Sequence, residues 1–331
     1  MIITRTPFRV SLFGGGTDYP VWFKENGGAV IGASINKYCY LHLRRLPPFF
    51  NHKYRIVYSK IELVDQINDI DHPVVKAVLE RANLPFGVEI HHAGDLPARS
   101  GLGSSSSFSV GILHALALAK GDKIGKRILA CDAIQLEQVT LSETVGCQDQ
   151  IWASYGGFNR IEFLRTGEFK VSPVNVRKHI KNELENSMLL VFSNLSRYAH
   201  DIAQKQIESI KHNRKELHEM RSMVDAAESI ISNSKDLIPE LGRLLNEGWN
   251  LKRNLHPSVT NEDIDSLISK GLRAGACGAK LLGAGGGGFV LFLCPLEKKT
   301  GVLDALSDMI TVPVQMDFSG STALMQEPFS H

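Results

Sequence analysis

Apolar positions along this chain repeat with two different periods, and the change of period divides it. In the first half, short stretches rich in β-branched and aromatic residues predict strands over 30–35, 38–43, 54–58 and 87–91. The first residues, from Met1 to Pro7, read as the start of a further strand rather than a signal peptide. Between the last two strands, Val74, Val75, Val78, Leu79 and Ala82 make one stripe of a helix. Asp71 is placed to cap that helix, Pro73 sits in its first turn, and Asn83 and Pro85 end it. A second helix begins in the serine run at 104–107 and stops at Gly121, and a third runs from about Lys126 to Glu143. Past residue 170 the texture changes. Residues 200–274 carry three or four amphipathic helices, among them 211–232 and 237–252. A glycine-rich turn, the apolar run 289–293 and a closing strand over 312–318 follow. The pattern predicts two α+β domains, 1–170 and 171–331, with the last strand free to pack back on the first sheet.

Composition narrows the function classes. A length of 331 residues suits two cores better than one. The net charge of +2 argues against the basic face that nucleic acid requires. No apolar run is long enough to span a bilayer, so no membrane partner is expected. The five cysteines, Cys39, Cys131, Cys147, Cys277 and Cys294, form no CxxC pair and read as reduced thiols of a cytoplasmic protein.

The strongest chemical signal is Leu96-Pro97-Ala98-Arg99-Ser100-Gly101-Leu102-Gly103-Ser104-Ser105-Ser106-Ser107. Glycines bring bare backbone N–H groups close to a ligand, and the helix behind them points its positive end into the loop. Together they make a phosphate site. No lysine follows the last glycine, so this is not a Walker A loop. One serine would suffice for a helix cap; four favour phosphate binding. A second signal, Arg9-Val10-Ser11-Leu12-Phe13-Gly14-Gly15-Gly16-Thr17-Asp18, runs a strand into three glycines and a carboxylate. By itself it is equally a hairpin with a capping Asp. A third, Lys280-Leu281-Leu282-Gly283-Ala284-Gly285-Gly286-Gly287-Gly288, holds more glycines than a tight turn needs. Glu137, half-buried on the third helix, and Asp149, just past it, are the carboxylates that stand out. Each alone is as well explained by an ion pair or a turn cap.

Together, in this order, these segments resemble the GHMP kinase superfamily, which includes galactokinases, homoserine kinases and mevalonate kinases. Pro97 through Ser105 is similar to the family's PxxxGLGSS loop, and Gly146-Cys147-Gln148-Asp149-Gln150 to its GxxDQ segment. The resemblance implies a ribosomal-protein-S5-like N-terminal domain, a ferredoxin-like α+β C-terminal domain and ATP-dependent phosphoryl transfer. It implies ATP phosphates on Arg99, Ser100, Gly101, Leu102, Gly103, Ser104, Ser105 and Ser106. It implies Mg²⁺ on Ser105 and Glu137, with Asp149 as base beside Arg9. Sugar hydroxyls would lie on Gly15, Gly16, Thr17 and Asp18, with Gly285 and Gly286 closing over the acceptor. Galactokinases carry Glu-His where this chain has Gly15-Gly16, which argues against galactose. The Gly-Gly-Gly-Thr-Asp version is similar to that of heptose 7-phosphate kinases and related fucokinases, which implies a sugar phosphate acceptor. Arg99, Lys252 and Arg253 are then the candidates for its phosphate. A 1-kinase of an unphosphorylated, fucose-like sugar and an inactive sugar sensor on the same scaffold are the other readings. A homodimer is left open.

Overall fold

The first strand, β1 (Ile2–Phe13), is almost wholly buried and lies inside an eight-stranded sheet. In the computed structural model, which describes residues 1–194, 210 and 213–327, its neighbour is β2 (Gly28–Arg45). The two stretches expected as separate strands at 30–35 and 38–43 are this one strand. The pairing steps from Pro7↔Tyr38 to Phe8↔Ile35, so Asn36 and Lys37 form a bulge that bends β2 without ending it. The two halves of β2 then serve different partners. Its second half pairs β5 (Val88–Gly94), which lies parallel to β3 (Tyr54–Val57), with β4 (Ile61–Val64) at the edge. Its first half pairs β6 (Phe158–Phe163), followed by β7 (Phe169–Pro173).

Helix α3 (Ser104–Ala119) crosses this sheet and is buried on almost every side. Gly111 permits that approach, since a Cβ there would stand 3.0 Å from both Leu41 and Thr6. Helices α2 (Pro73–Ala82), α4 (Lys126–Gln135) and α5 (Gln148–Tyr155) pack against it, and α1 (Pro20–Asn26) stacks Phe23 on Phe163 of β6. α2 is not capped by Asp71. Glu62 of β4 reaches over instead and accepts from the N–H groups of Asp71 (2.6 Å) and His72 (3.2 Å).

The third helix also departs from expectation. It is regular only to Gln135 and continues as a π turn, Leu136–Thr140, closed by Leu141 N–H on the Leu136 carbonyl. Ser142 then takes a left-handed φ of 53°. The wider turn displaces Glu137 from regular helical spacing, and π turns of this kind recur at functional sites.

A second, four-stranded sheet runs β11 (Thr311–Val312), β8 (Met188–Phe192), β10 (Phe289–Leu293), β9 (Gly278–Leu281). α6 (Lys178–Ser187) leads into β8. Helices α8 (Leu237–Leu255), α9 (Glu262–Arg273) and α10 (Leu296–Ala305) accompany this sheet, while α7 (Arg214–Asn233) packs between α8 and the strands β1 and β2 of the first sheet. The part of the expected helices that falls on 200–209 and 211–212 lies outside the described residues. The segment 312–318 is not one strand. Val312 ends β11, Met316 makes a lone bridge to Ile35, and the last strand, β12 (Thr322–Gln326), pairs β1 of the first sheet. Among the described residues no helix is long and apolar enough to cross a membrane.

Candidate active site

Arg9 lies on the inward face of β1 and is only 5% exposed. A buried guanidinium needs acceptors, and three are supplied. Its Nε and Nη2 donate to Asp149 Oδ1 and Oδ2 at 2.8 and 2.7 Å, and its Nη1 donates to the Gly101 carbonyl at 2.6 Å. Asp149 stands in the first turn of α5, where the helix dipole favours a carboxylate. The pair therefore joins β1, α5 and the loop before α3 at one point.

That loop has the conformation its sequence asks for. Gly101 and Gly103 take φ of 81° and 75°, and α3 starts at Ser104. Gly103 also backs onto the pair: a Cβ there would lie 3.3 Å from Asp149 Oδ2 and from Arg9 Cγ. The four serines diverge. Ser104 and Ser105 line the cleft, with Ser105 exposed. Ser107 turns inward to the carbonyls of Pro7 and Gly103. Ser106 donates to Glu137 Oε2 at 2.9 Å. Ser100 is buried, and its carbonyl accepts from Phe289 N–H.

The third glycine segment presses on this loop. A Cβ on Gly283 would stand 2.5 Å from Gly101 Cα, and one on Gly288 would stand 2.4 Å from the Ser100 carbonyl. These glycines thus allow two backbones to touch across the sheets. Gly283 and Ala284 line the cleft, whereas Gly285 and Gly286 face Val259, whose carbonyl accepts from Gly286 N–H at 2.9 Å.

Glu137 is completely buried. Ser106 and the Gln150 amide both donate to Oε2, the Ser109 hydroxyl also favours the charged carboxylate, and Oε1 has no hydrogen bond of good geometry. Burial pushes its carboxyl up to about 7, against the pull of these donors. An orphaned buried carboxylate oxygen is where a cation fits. A single carboxylate beside serine hydroxyls suits Mg²⁺ arriving with nucleotide phosphates. Ser105 makes no direct contact with Glu137; its neighbour Ser106 does.

Gly15 and Gly16 of the second signal line the same cleft as Asp149. A Cβ on Gly15 would meet only Ser11 Oγ at 3.8 Å and Gln148 Nε2 at 3.9 Å, so the wall beside it is open. Ser11 and Gln148, which sequence reasoning did not single out, hydrogen-bond each other at 2.7 Å and line the cleft. Thr17 turns away from the cleft: its hydroxyl donates to the Gly14 and Ala29 carbonyls. Asp18 is buried, accepts from Gly16 N–H, and packs so closely on Gly146 that no side chain fits there. Burial, followed by the Asp149 charge, pushes the Asp18 carboxyl up to about 6.

Of the expected cations, Lys252 lines the cleft and Arg253 does not. Arg253 pairs with Asp265 of α9 at 2.8 Å. Arg99 takes a left-handed φ of 60° at the rim of the loop and lines the cleft. Lys280, missed in the sequence, lines it too. Its signal was a lone lysine in the otherwise apolar stretch 278–282. The whole cleft, open between the sheets, measures about 410 Å³.

Comparison with known proteins accords with this geometry. The model of the GHMP kinase N-terminal domain matches residues 69–157, and that of the GHMP kinase C-terminal domain matches 233–310. The chain is 29% identical over 315 residues to the D-glycero-alpha-D-manno-heptose 7-phosphate kinase of Campylobacter jejuni, covering 92% of this chain and 93% of that one. It is 27% identical to the bifunctional fucokinase/GDP-fucose pyrophosphorylase of Arabidopsis thaliana, over 88% of this chain and 30% of that one. Among solved structures, a D-glycero-D-manno-heptose 1-phosphate kinase from Bacteriodes thetaiotaomicron superposes with a TM-score of 0.79 at 26% identity, covering 98% and 99% of the two chains. A mevalonate kinase, at 19% identity and a TM-score of 0.73, shares the fold.

Proposed function

This chain belongs to the GHMP kinases and is an ATP-dependent sugar kinase, and we propose that its acceptor is D-glycero-D-manno-heptose 7-phosphate, phosphorylated on the anomeric hydroxyl. The product is the 1,7-bisphosphate, a precursor for nucleotide-activated heptose and surface polysaccharide. The observation that carries this reading is the seat of Asp149. It backs on Gly103 of the phosphate loop, and its chain neighbour Gln148 borders the open wall at Gly15, which supports a carboxylate set between donor and acceptor. The heptose phosphates named for the Campylobacter relative and the superposed structure support the choice of sugar.

Phosphoryl transfer depends on positioning and charge neutralisation more than on covalent chemistry. The N–H groups at 101–106 and the N-terminus of α3 cradle the ATP phosphates. Asp149 takes the proton of the sugar hydroxyl as that oxygen bonds to the γ-phosphorus. The bond from phosphorus to the β,γ-bridging oxygen breaks, and ADP leaves. Arg9 keeps Asp149 oriented and faces the transferred charge. Asp18 accepts hydrogen bonds from sugar hydroxyls. Glu137, with the Ser105 and Ser106 hydroxyls, would hold Mg²⁺. That ion would offset the charge on the β- and γ-phosphates.

The test is ADP release over a panel of sugars and sugar phosphates. The expected result is a kcat/KM for heptose 7-phosphate well above those for free heptose, galactose and fucose. Equal or better use of the unphosphorylated sugars overturns the reading. A best rate with fucose would favour the 1-kinase reading that the Arabidopsis likeness supports.

A further inference from the structure

Lys252 and Lys280 come from different elements, α8 and β9, yet both ammonium groups open on the same cleft. Each lysine is only 9% exposed. Lys252 Nζ donates to the carbonyls of Leu281 (3.0 Å) and Gly283. Lys280 Nζ donates to those of Ser11 (3.1 Å) and Leu12 (2.8 Å). An ammonium has three N–H bonds, so one on each is left over. Among the described residues no carboxylate forms an ion pair with either. The charges felt by Lys280 are those of Arg9, and by Lys252 those of Lys280 and Arg9, all of the same sign. Two buried cations without a counter-ion are costly unless something else supplies the negative charge.

We propose that Lys252 and Lys280 together hold a phosphate group already carried by the acceptor, an inference that rests on the sugar phosphate reading above. The nucleotide phosphates are served by the loop N–H groups and the N-terminus of α3. Lys280 is anchored on Ser11 and Leu12, three and two residues before Gly14, and Ser11 borders the open side of the cleft at Gly15. Lys252 lies about one helical turn before Leu255, which lines the cleft together with Gly16 and Tyr19. Arg253, the neighbouring cation, is already neutralised by Asp265. The carbonyls hold both ammonium groups in place before any ligand arrives, which lowers the ordering cost of binding. Burial and the neighbouring cations bring Lys280 down to about 7 and hold Lys252 well below its usual range; an incoming phosphate dianion favours the charged form of both.

The experiment compares kcat/KM for D-glycero-D-manno-heptose 7-phosphate and for D-glycero-D-manno-heptose in wild type, Lys280→Met and Lys252→Met. The wild-type ratio tests the sugar phosphate reading by itself. Given a wild-type preference, each variant is expected to reduce that ratio on the order of 10- to 100-fold, the scale of one charge-assisted bond. Losses equal for both sugars, or an unchanged ratio, overturn the pocket while leaving the acceptor assignment standing. Because a buried substitution can prevent folding, inorganic phosphate is also titrated into the wild type. Inhibition competitive with heptose 7-phosphate is expected; inhibition competitive with ATP alone overturns the proposal.

Discussion

Arg9 and Asp149, 140 residues apart in the chain, meet through two parallel N–H···O bonds of 2.8 and 2.7 Å. The third guanidinium contact, to the Gly101 carbonyl, ties the same pair to the phosphate loop. A change at Arg9 therefore acts on the pair and on the loop, and a change at Asp149 on the pair alone.

Asp149→Asn removes the proton acceptor and leaves the loop in place. The expected result is a kcat lower by at least ~10² with nucleotide affinity near that of wild type. Arg9→Lys, which cannot make the paired contact, is expected to lower kcat and to weaken nucleotide binding as well. Steady-state kinetics with a fluorescent-nucleotide titration checks both. Near-wild-type turnover in Asp149→Asn would show that no base is needed.

Glu137→Gln takes the charge from a buried carboxylate whose Oε1 has no hydrogen bond of good geometry. The Mg²⁺ concentration for half-maximal rate is expected to rise at least about tenfold, with little change in acceptor KM. Ser105→Ala and Ser106→Ala, measured the same way, tell which hydroxyl shares the ion. Unchanged half-saturation in Glu137→Gln would remove this residue from the metal site.

Asp18 gives a signature in stability. Its carboxyl holds a proton up to about pH 6 when folded, while an unfolded Asp releases it near pH 4. Between these values the folded state binds the extra proton, so stability falls as pH rises through the window. The loss should be on the order of 1–3 kcal/mol, complete above about pH 6, and missing in Asp18→Asn. Urea unfolding of both proteins at pH 4, 5, 6 and 7 measures it. Parallel pH curves would mean that Asp18 is ionised throughout.

Gly283→Ala forces a Cβ against Gly101 at a φ of 71°. A destabilisation of about 2–4 kcal/mol is expected, with a raised KM for ATP because the phosphate loop is displaced. Gly125→Ala is the control. Its φ is −76° and nothing lies within 4 Å of the added methyl, so a change within about 0.5 kcal/mol is expected. Thermal unfolding and ATP kinetics compare the two.

What the sequence determined by itself was local chemistry. Gly101-Leu102-Gly103 followed by serines is a phosphate loop because positive φ and a helix N-terminus are properties of a few adjacent residues. Apolar periodicity likewise carried α3 and α8. Direction and partnership came only with the tertiary structure. Thr17, Gly285 and Gly286 sit in the right motifs, yet Thr17 is taken up by the Gly14 and Ala29 carbonyls and the two glycines by Val259. Arg253 and Lys252 are adjacent, but one meets Asp265 on a neighbouring helix and the other turns into the cleft. Ser106, not Ser105, reaches Glu137, which stands in a π turn that periodicity did not foretell. Lys280 has two acceptors on β1, 268 and 269 residues earlier in the chain. A periodic pattern states which face of an element is buried. It does not state which distant backbone will lie against that face, and that decides whether a buried polar group is satisfied by the fold or left for a ligand.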